Sequence, residues 1–328
     1  MLCARDLGQT LIGSGLESVR QRIARLATTD LPVLILGESG VGKELAAQGL
    51  AILSGRPLER FRQVNAATLA DPLAESTLFG HARGAFTGAH ESREGFFEAT
   101  RGGTLFLDEI AEMSLAVQAK FLRILDGHAF TRLGETHPTT VDSRLILATN
   151  ADLSALVRKG RFRADLLQRL LGSVLEIPPL RERRGDIPEL LAHFVPLFER
   201  SFNLGPITIP DASLRILRRH SWPGNVRQLK NFVSLAMERK PGEVMTPRRT
   251  RSLLLRSAGI RPRAAGSPIS PKSLAEAIKA ADGNISEAAR LRGISRQHLY
   301  RLLHAAGLRP RAKPRPQWPV AHGVSREA

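Results

Sequence analysis

The 328-residue sequence predicts an α/β fold, a parallel sheet flanked by helices, continued by an all-helical block and then by a small helical module. Three observations carry that prediction. An apolar run, Pro32-Val33-Leu34-Ile35-Leu36, opens into a glycine loop and then a helix-forming stretch, Leu45–Ala51, the order of a parallel βα unit. Two further apolar runs, Thr104–Leu107 and Leu145–Ala148, end on polar residues, as buried strands do when their ends face a site. From residue 187 onward the pattern is helical.

Taken in order, Ser18–Leu26 has helical character and leads through Ala27–Asp30 into the first strand. The loop after it, Gly37-Glu38-Ser39-Gly40-Val41-Gly42-Lys43-Glu44, has the G-x-x-x-x-G-K spacing of a phosphate-binding loop in its strand–loop–helix context. Its glycines let backbone N–H groups curl around an anion, and the helix N-terminus adds partial positive charge. Lys43 is a point charge for the β- and γ-phosphates. Position 44 is Glu where the motif usually has the Ser or Thr hydroxyl that binds Mg²⁺.

Phe61–Asn65 reads as a short strand whose last residue either faces the nucleotide or caps the following turn. Leu78–Ala89 contains three glycines and three alanines, with Phe86 as a large apolar group and Thr87 as a hydroxyl beside it. That composition predicts a projecting loop with a hydrophobic tip, the alternative being a surface turn with Phe86 tucked into the core. Gly102–Leu107 runs straight into Asp108 and Glu109. Asp108 suits Mg²⁺, directly or through water, and Glu109 suits polarising an attacking water.

Arg144–Asn150 repeats the design, with Thr149 and Asn150 at the strand end. Gly160–Leu170 reads as one helix with Arg163 and Arg169 on different sides, where an arginine can reach across a subunit boundary to a neighbour's phosphate. Helical patterns follow over 187–202 and 211–219. Trp222–Leu229 makes a turn into a further helix ending near Met237, with Arg227 as a phosphate contact.

Residues 256–272 are rich in Pro, Gly, Ser and Arg and read as a linker. Three short helices follow, over 274–281, 285–291 and 296–305, with Asn284 and Ser295 as caps. In the third, Leu299, Leu302 and Leu303 share one face, while Arg296, Gln297, His298, Tyr300 and Arg301 point elsewhere. This pattern fits a DNA-binding helix-turn-helix rather than a plain helical hairpin. The predicted organisation is a short segment 1–10, an α/β ATPase part 11–178, a helical lid 179–255, a linker 256–272, a helix-turn-helix 273–309 and a disordered basic tail 310–328.

Charge supports a polyanion partner. Of the net +17, residues 239–328 hold +14, with 19 Lys and Arg against 5 Asp and Glu, leaving +3 for the first 238. Cys3 is the only cysteine, which rules out an internal disulfide and a cysteine-based zinc site and makes a reducing cytoplasm the expected setting. No run approaches the ~18 apolar residues of a membrane span.

Taken together, GESGVGKE, FGHARGAFTGA, GGTLFLDEI, FRADLLQRL, IPPLRERRGDI and WPGNVRQLKN resemble the AAA+ domain of bacterial enhancer-binding proteins, the activators of sigma-54 RNA polymerase, over residues 11–240. The C-terminal module resembles their Fis-type helix-turn-helix. The resemblance implies ATP and Mg²⁺ as cofactors and residues Gly37–Glu44 as the ATP loop, with Glu44 usual in the family. It implies Asp108 and Glu109 as the Walker B pair, with Asn65 restraining Glu109 until ATP is sensed. Thr149 and Asn150 match sensor I, Arg163 and Arg169 the arginine fingers, and Arg227 sensor II. Gly84, Ala85, Phe86, Thr87, Gly88 and Ala89 match the loop that contacts the sigma factor. Ala82-Arg83 and Gln168 depart from the commoner residues.

The implied partners are the sigma-54 RNA polymerase holoenzyme, enhancer DNA and copies of the chain itself in a hexamer. A short architecture without an N-terminal regulatory domain is expected, and with it control either by a regulatory protein partner or by the protein's own abundance. Two other readings are a non-catalytic DNA-binding regulator that retains the fold for oligomerisation, and an AAA+ remodeller of another protein target.

Overall fold

The computed structural model describes residues 11–258 except 70, 128, 141 and 239–242, together with 279, 281, 285, 287, 288 and 299. In chain order the first part runs α1 (Glu17–Ala27), β1 (Val33–Leu36), α2 (Lys43–Leu53), β2 (Phe61–Asn65), α3 (Asp71–Phe79), α4 (Phe96–Ala99) and β3 (Thr104–Asp108). It continues with α5 (Leu115–Leu125), a hairpin of β4 (Phe130–Thr131) and β5 (Pro138–Thr139), β6 (Arg144–Thr149), α6 (Leu153–Arg158), α7 (Ala164–Leu170) and β7 (Val174–Glu176). Four helices follow: α8 (Asp186–Phe202), α9 (Asp211–Arg219), α10 (Asn225–Ala236) and α11 (Pro247–Ser257).

The five long strands form one parallel sheet in the order β2-β3-β6-β1-β7. Both faces of the central strands β1, β3 and β6 are covered, so these are apolar almost throughout and their alternate residues enter two different cores, whereas the edge strand β2 exposes Arg62 and Gln63. Leu34, Leu105, Leu107, Leu145 and Leu147 pack with Phe79, Phe97 and Phe121. Val33, Ile35, Phe106, Ile146 and Ala148 pack with Ile23, Ala46 and Leu50. Arg144, buried at the start of β6, donates to the Leu26 and Ala27 carbonyls at the end of α1. The Leu26 carbonyl also accepts from the Thr29 N–H and hydroxyl that follow the helix.

The helical block has a third core around the fully buried Trp222, with Leu217, Phe232, Met245 and Leu253. Trp222 donates its indole N–H to the Leu217 carbonyl at 2.9 Å. The turn Trp222–Asn225 is tight enough that both end residues take positive φ, each 49°, a conformation asparagine tolerates better than most residues.

Asn225 ties this block to the glycine loop. Wholly buried, it accepts from the Leu180 N–H at 2.8 Å and donates to the Glu38 carboxylate at 3.0 Å and the Ser39 carbonyl at 3.1 Å. Two amides at the start of α10, from Val226 and Arg227, donate to the Gly40 carbonyl. Gly40 has φ +80°, and a Cβ there would lie 2.5 Å from the Gly224 carbonyl, so the approach requires glycine. Nearby, buried Arg183 donates to the Val41 and Pro178 carbonyls and pairs with Asp186, which accepts from the Gly15 N–H at 2.7 Å. Burial pushes the Arg183 guanidinium below its ordinary pKa.

Two expectations change. Residues 160–163 are not helical; α7 begins at Ala164 and Arg163 is its cap residue, with φ −76° and ψ 132°. Gly160 takes φ +65°, and the Arg163 N–H is held by the Gln118 side chain instead of a helical carbonyl. Pro247–Ser257 is a helix, α11, although its arginine-rich start hides the apolar period and its last two residues fall in the expected linker. Thr246 caps it by accepting from the Arg249 N–H, with Pro247 opening the first turn. Of the expected helix-turn-helix, Ile285, Glu287, Ala288 and Leu299 are described and helical, with Ala288 and Leu299 fully buried. Asn284, Ser295, Arg296, Gln297, His298, Tyr300 and Arg301, and the basic tail, lie outside the described residues.

Asn225→Gly keeps the positive φ and removes three side-chain hydrogen bonds, so it should lower stability by about 2–4 kcal/mol. Urea unfolding at neutral pH checks this; an unchanged midpoint would show that the junction does not depend on that amide.

Candidate functional site

Parallel pairing sets the strand ends side by side. Asn65 is in register with Asp108, and Leu36, the last residue before the glycine loop, is in register with Thr149 and Glu176. The carboxyl edge of the sheet therefore gathers the polar residues that end β2, β3 and β6, next to the loop that follows β1. A cleft of about 740 Å³ opens there. Ser39–Glu44, Asn65, Asp108, Glu109 and Arg227 line it together.

The loop is built to hold an anion. Gly37, Gly40 and Gly42 have φ of +158°, +80° and +110°, and among the described residues no partner accepts from the backbone N–H groups of Gly40–Glu44. Those orphan amides lie at the N-terminus of the 11-residue helix α2, where the macrodipole adds to them. Lys43 is buried and donates from Nζ to the Gly37 carbonyl at 2.9 Å, folded back over its own loop. Glu44 is exposed and accepts from Gln48 on the outer side of α2.

Glu109 takes φ +53° and ψ 48°, a left-handed conformation sparsely populated outside glycine. Its N–H donates to the neighbouring Asp108 carboxylate at 3.0 Å. Asn65 caps the turn after β2 through its side-chain oxygen, which accepts from the Ala67 N–H at 2.9 Å. Among the described residues no hydrogen bond joins Asn65 to Glu109. Thr149 is buried and its hydroxyl accepts from the Ala151 N–H, while Asn150 beside it is exposed.

Arg227 donates to the Ser39 hydroxyl at 2.9 Å, across the boundary between α10 and the glycine loop. Glu38 on the same loop is held by Asn225 and by Arg181, at 2.7 Å from the latter. Those two contacts, Asn225's hydrogen bond first, keep the Glu38 carboxyl below the usual carboxylate range. Arg163 and Arg169 are not part of this cleft. Arg163 pairs with Asp165 at 2.7 Å, and Arg169 reaches Asp126 and the Leu125 carbonyl.

Residues 84–89 form a turn closed by its own backbone, with Gly84 N–H donating to Ala89 and Ala89 N–H to Phe86. Phe86 is 37% exposed, with its ring 5.0 Å from that of His81, while Thr87 and Gly88 are exposed and Ala89 is buried. His81 is itself buried and bonded to the Ser76 hydroxyl at 2.7 Å. The loop thus presents Phe86 and Thr87 outward from a fixed base, and the tucked-in alternative does not hold.

Several cleft residues carry no sequence motif. Leu11, Ile12, Leu190, His193, Phe194 and Lys230 complete the wall, supplied by the first residues of the body and by α8 and α10. Helical pattern places Leu190, His193, Phe194 and Lys230 on helices, and nothing in it distinguishes a residue at a cleft from one in a core.

The matches to known proteins follow the same lines. Residues 12–176 match the sigma-54 interaction domain, 181–266 the AAA+ ATPase lid domain and 272–304 the bacterial regulatory protein, Fis family. Nitric oxide reductase transcription regulator NorR2 of Cupriavidus necator is 47% identical over 233 residues, covering 70% of this chain and 45% of that protein. Regulatory protein AtoC of Escherichia coli is 40% identical over 303 residues, covering 88% and 65%. The chain spans 45% to 65% of the length of these curated relatives. The crystal structure of NtrX from Brucella abortus in complex with ATP superposes with a TM-score of 0.67 at 34% identity, covering 91% of this chain and 69% of that one. With its parallel-sheet AAA+ fold, helical lid and Fis-type region, this chain belongs to the family of sigma-54-dependent transcriptional activators.

Proposed function

We propose that the protein is an ATPase that binds enhancer DNA through residues 273–309, assembles into a hexamer and converts the closed sigma-54 polymerase–promoter complex to the open one. The observation that carries this reading is the single cleft in which unpartnered loop amides, Lys43, Asp108 and Glu109 meet. These residues fit a nucleoside triphosphate with its divalent cation. The amides of Gly40–Glu44 bind phosphate oxygens, and Lys43 leaves the Gly37 carbonyl to reach the β- and γ-phosphates. Asp108 is the carboxylate suited to holding Mg²⁺, which when bound neutralises charge on the phosphate oxygens. Glu109, fixed in its left-handed turn, orients the attacking water and accepts its proton.

Arg163 and Arg169 stand apart from the cleft of their own chain, which suits a role toward a neighbouring subunit's phosphates. Arg227 links the lid to the loop at Ser39 and is placed to exchange that hydroxyl for phosphate. Asn65, beside Asp108 at the ends of β2 and β3, is assigned the restraint of Glu109 until ATP is sensed, and Thr149 and Asn150, at the end of β6, the sensing of the γ-phosphate. The exposed turn 84–89 is assigned to the sigma factor, with Phe86 and Thr87 at its tip. The setting proposed for all of this is the cytoplasm.

Glu109→Gln should leave nucleotide affinity within about threefold and slow hydrolysis by about 10²–10⁴, the usual range for losing a general base; a steady-state ATPase assay with a binding titration separates the two effects. Parental turnover by the variant would remove Glu109 from the mechanism, whereas absence of hydrolysis by the parent would favour the non-catalytic regulator. Thr87→Ala should hydrolyse ATP at the parental rate and fail to open sigma-54 promoter complexes in a reconstituted transcription assay. Open complexes formed as fast as with the parent would detach the 84–89 loop from remodelling.

A further inference from the structure

α9 and α11 lie side by side in the helical block and are unusually one-signed. Together they carry Arg215, Arg218, Arg219, Arg248, Arg249, Arg251 and Arg256 against one acid, Asp211. Arg249 and Arg256 are neutralised locally by Glu243 and Glu238. The other five are exposed and, among the described residues, none takes part in an ion pair or side-chain hydrogen bond. Two shallow hollows between the helices share Ile216, Arg219 and Arg251 in their walls, so that Arg215 and Arg219 of α9 face the same groove as Arg251 of α11.

Folding gives no reason for this arrangement. Arg215 and Arg219 are four residues apart, and Arg215 and Arg218 three, the spacings at which like charges on a helix repel. The body over the first 238 residues is nearly neutral, so the concentration on two adjacent helices is local rather than a property of the whole surface. None of the five lines the nucleotide cleft. Unpaired arginines on neighbouring helices match closely spaced phosphates, which guanidinium groups bind with directed N–H donors. The chain segment that follows leads into the Fis-family region at 272–304, with 14 residues between α11 and its first residue, a tether of at most about 50 Å when extended.

We infer that Arg215, Arg219 and Arg251, supported by Arg218 and Arg248, form a second DNA contact, one that binds the phosphate backbone of duplex flanking the site read by residues 272–304. For its ligand class the inference rests on the DNA-binding reading above. The contact is independent of base sequence: phosphate contacts position a protein on the duplex and carry no sequence information themselves. Its signature is a steeper fall of affinity with salt, because each neutralised phosphate releases counterions.

The test uses the full chain and a fluorescent 40-base-pair duplex of arbitrary sequence, titrated from low to physiological salt. The triple variant R215Q/R219Q/R251Q should lose affinity at least tenfold at low salt. Its slope of log K against log salt should shrink by about 2–3, near 0.9 per phosphate contact removed. ATP hydrolysis should be unchanged, which reports that the fold is intact, and R215K/R219K/R251K should recover most of the affinity because charge is retained. R296A/R301A, measured in parallel, tests the Fis-type region separately. If that variant loses binding while the glutamine triple keeps parental affinity and slope, the second contact is wrong and the helix-turn-helix reading stands. If only the glutamine triple loses binding, the helix-turn-helix reading is at fault and the second contact stands. Parental DNA binding by the glutamine triple together with loss of an acidic protein's binding would equally overturn the inference.

Discussion

Asn225 is the constraint on which the nucleotide cleft depends. One side chain satisfies the Leu180 N–H where the body gives way to the helical block, the Ser39 carbonyl and the Glu38 carboxylate. It does so from a left-handed backbone conformation that follows Pro223-Gly224. Because an amide offers both an acceptor and donors, it can join an N–H on one side to a carbonyl and a carboxylate on the other. A carboxylate in its place would repel Glu38, and an apolar residue would leave buried polar groups without partners. The amides of Val226 and Arg227 then meet the Gly40 carbonyl, so the start of α10 is satisfied by the glycine loop. The start of the helical block and the glycine loop are thereby held by shared hydrogen bonds.

A second buried network reinforces the same junction. Arg183 and Asp186 form an ion pair with almost no exposure, an arrangement that is costly unless every remaining donor and acceptor is used. Here the guanidinium also bonds to the Val41 and Pro178 carbonyls and the carboxylate to the Gly15 N–H. Gly13 and Gly15 leave no room for a Cβ, which would come within 2.2 Å and 2.8 Å of Asp186 and Arg183 atoms. The segment before α1, the glycine loop and the start of α8 are fixed together, and Leu11 and Ile12 become part of the cleft wall.

The exposed turn at 84–89 is controlled differently. Its tip has little packing beyond the His81 ring, while its base is fixed by buried Ala89, by the ladder of His81 with Arg93 and Leu133, and by Gly134 pressed against Ala85. A stiff base with a free tip suits an element that transmits displacement of the body without absorbing it. Neither Phe86 nor Thr87 lines the cleft, so the coupling proposed between the two would have to run through the sheet and its connections.

The strand–loop–helix at Gly37–Glu44, the acidic end of β3 and the parallel sheet are legible in the residues alone, because each rests on local spacing and a short period. The motifs also carried the family, and with it the roles assigned to Asn65, Thr149 and Arg227. The structure alone decided that Asn65 engages Ala67, that Arg163 caps α7 rather than sitting within it, and that Pro247–Ser257 is helical. Those outcomes turn on partners distant in sequence or on caps that overrule a weak apolar period. The same holds for Asn225, Arg183 and Phe194, whose neighbours come from other elements. It holds equally for the arginines of α9 and α11, which meet because two helices 28 residues apart at their ends pack together. Local pattern records what a segment can form, and only packing records which side chains then share a space.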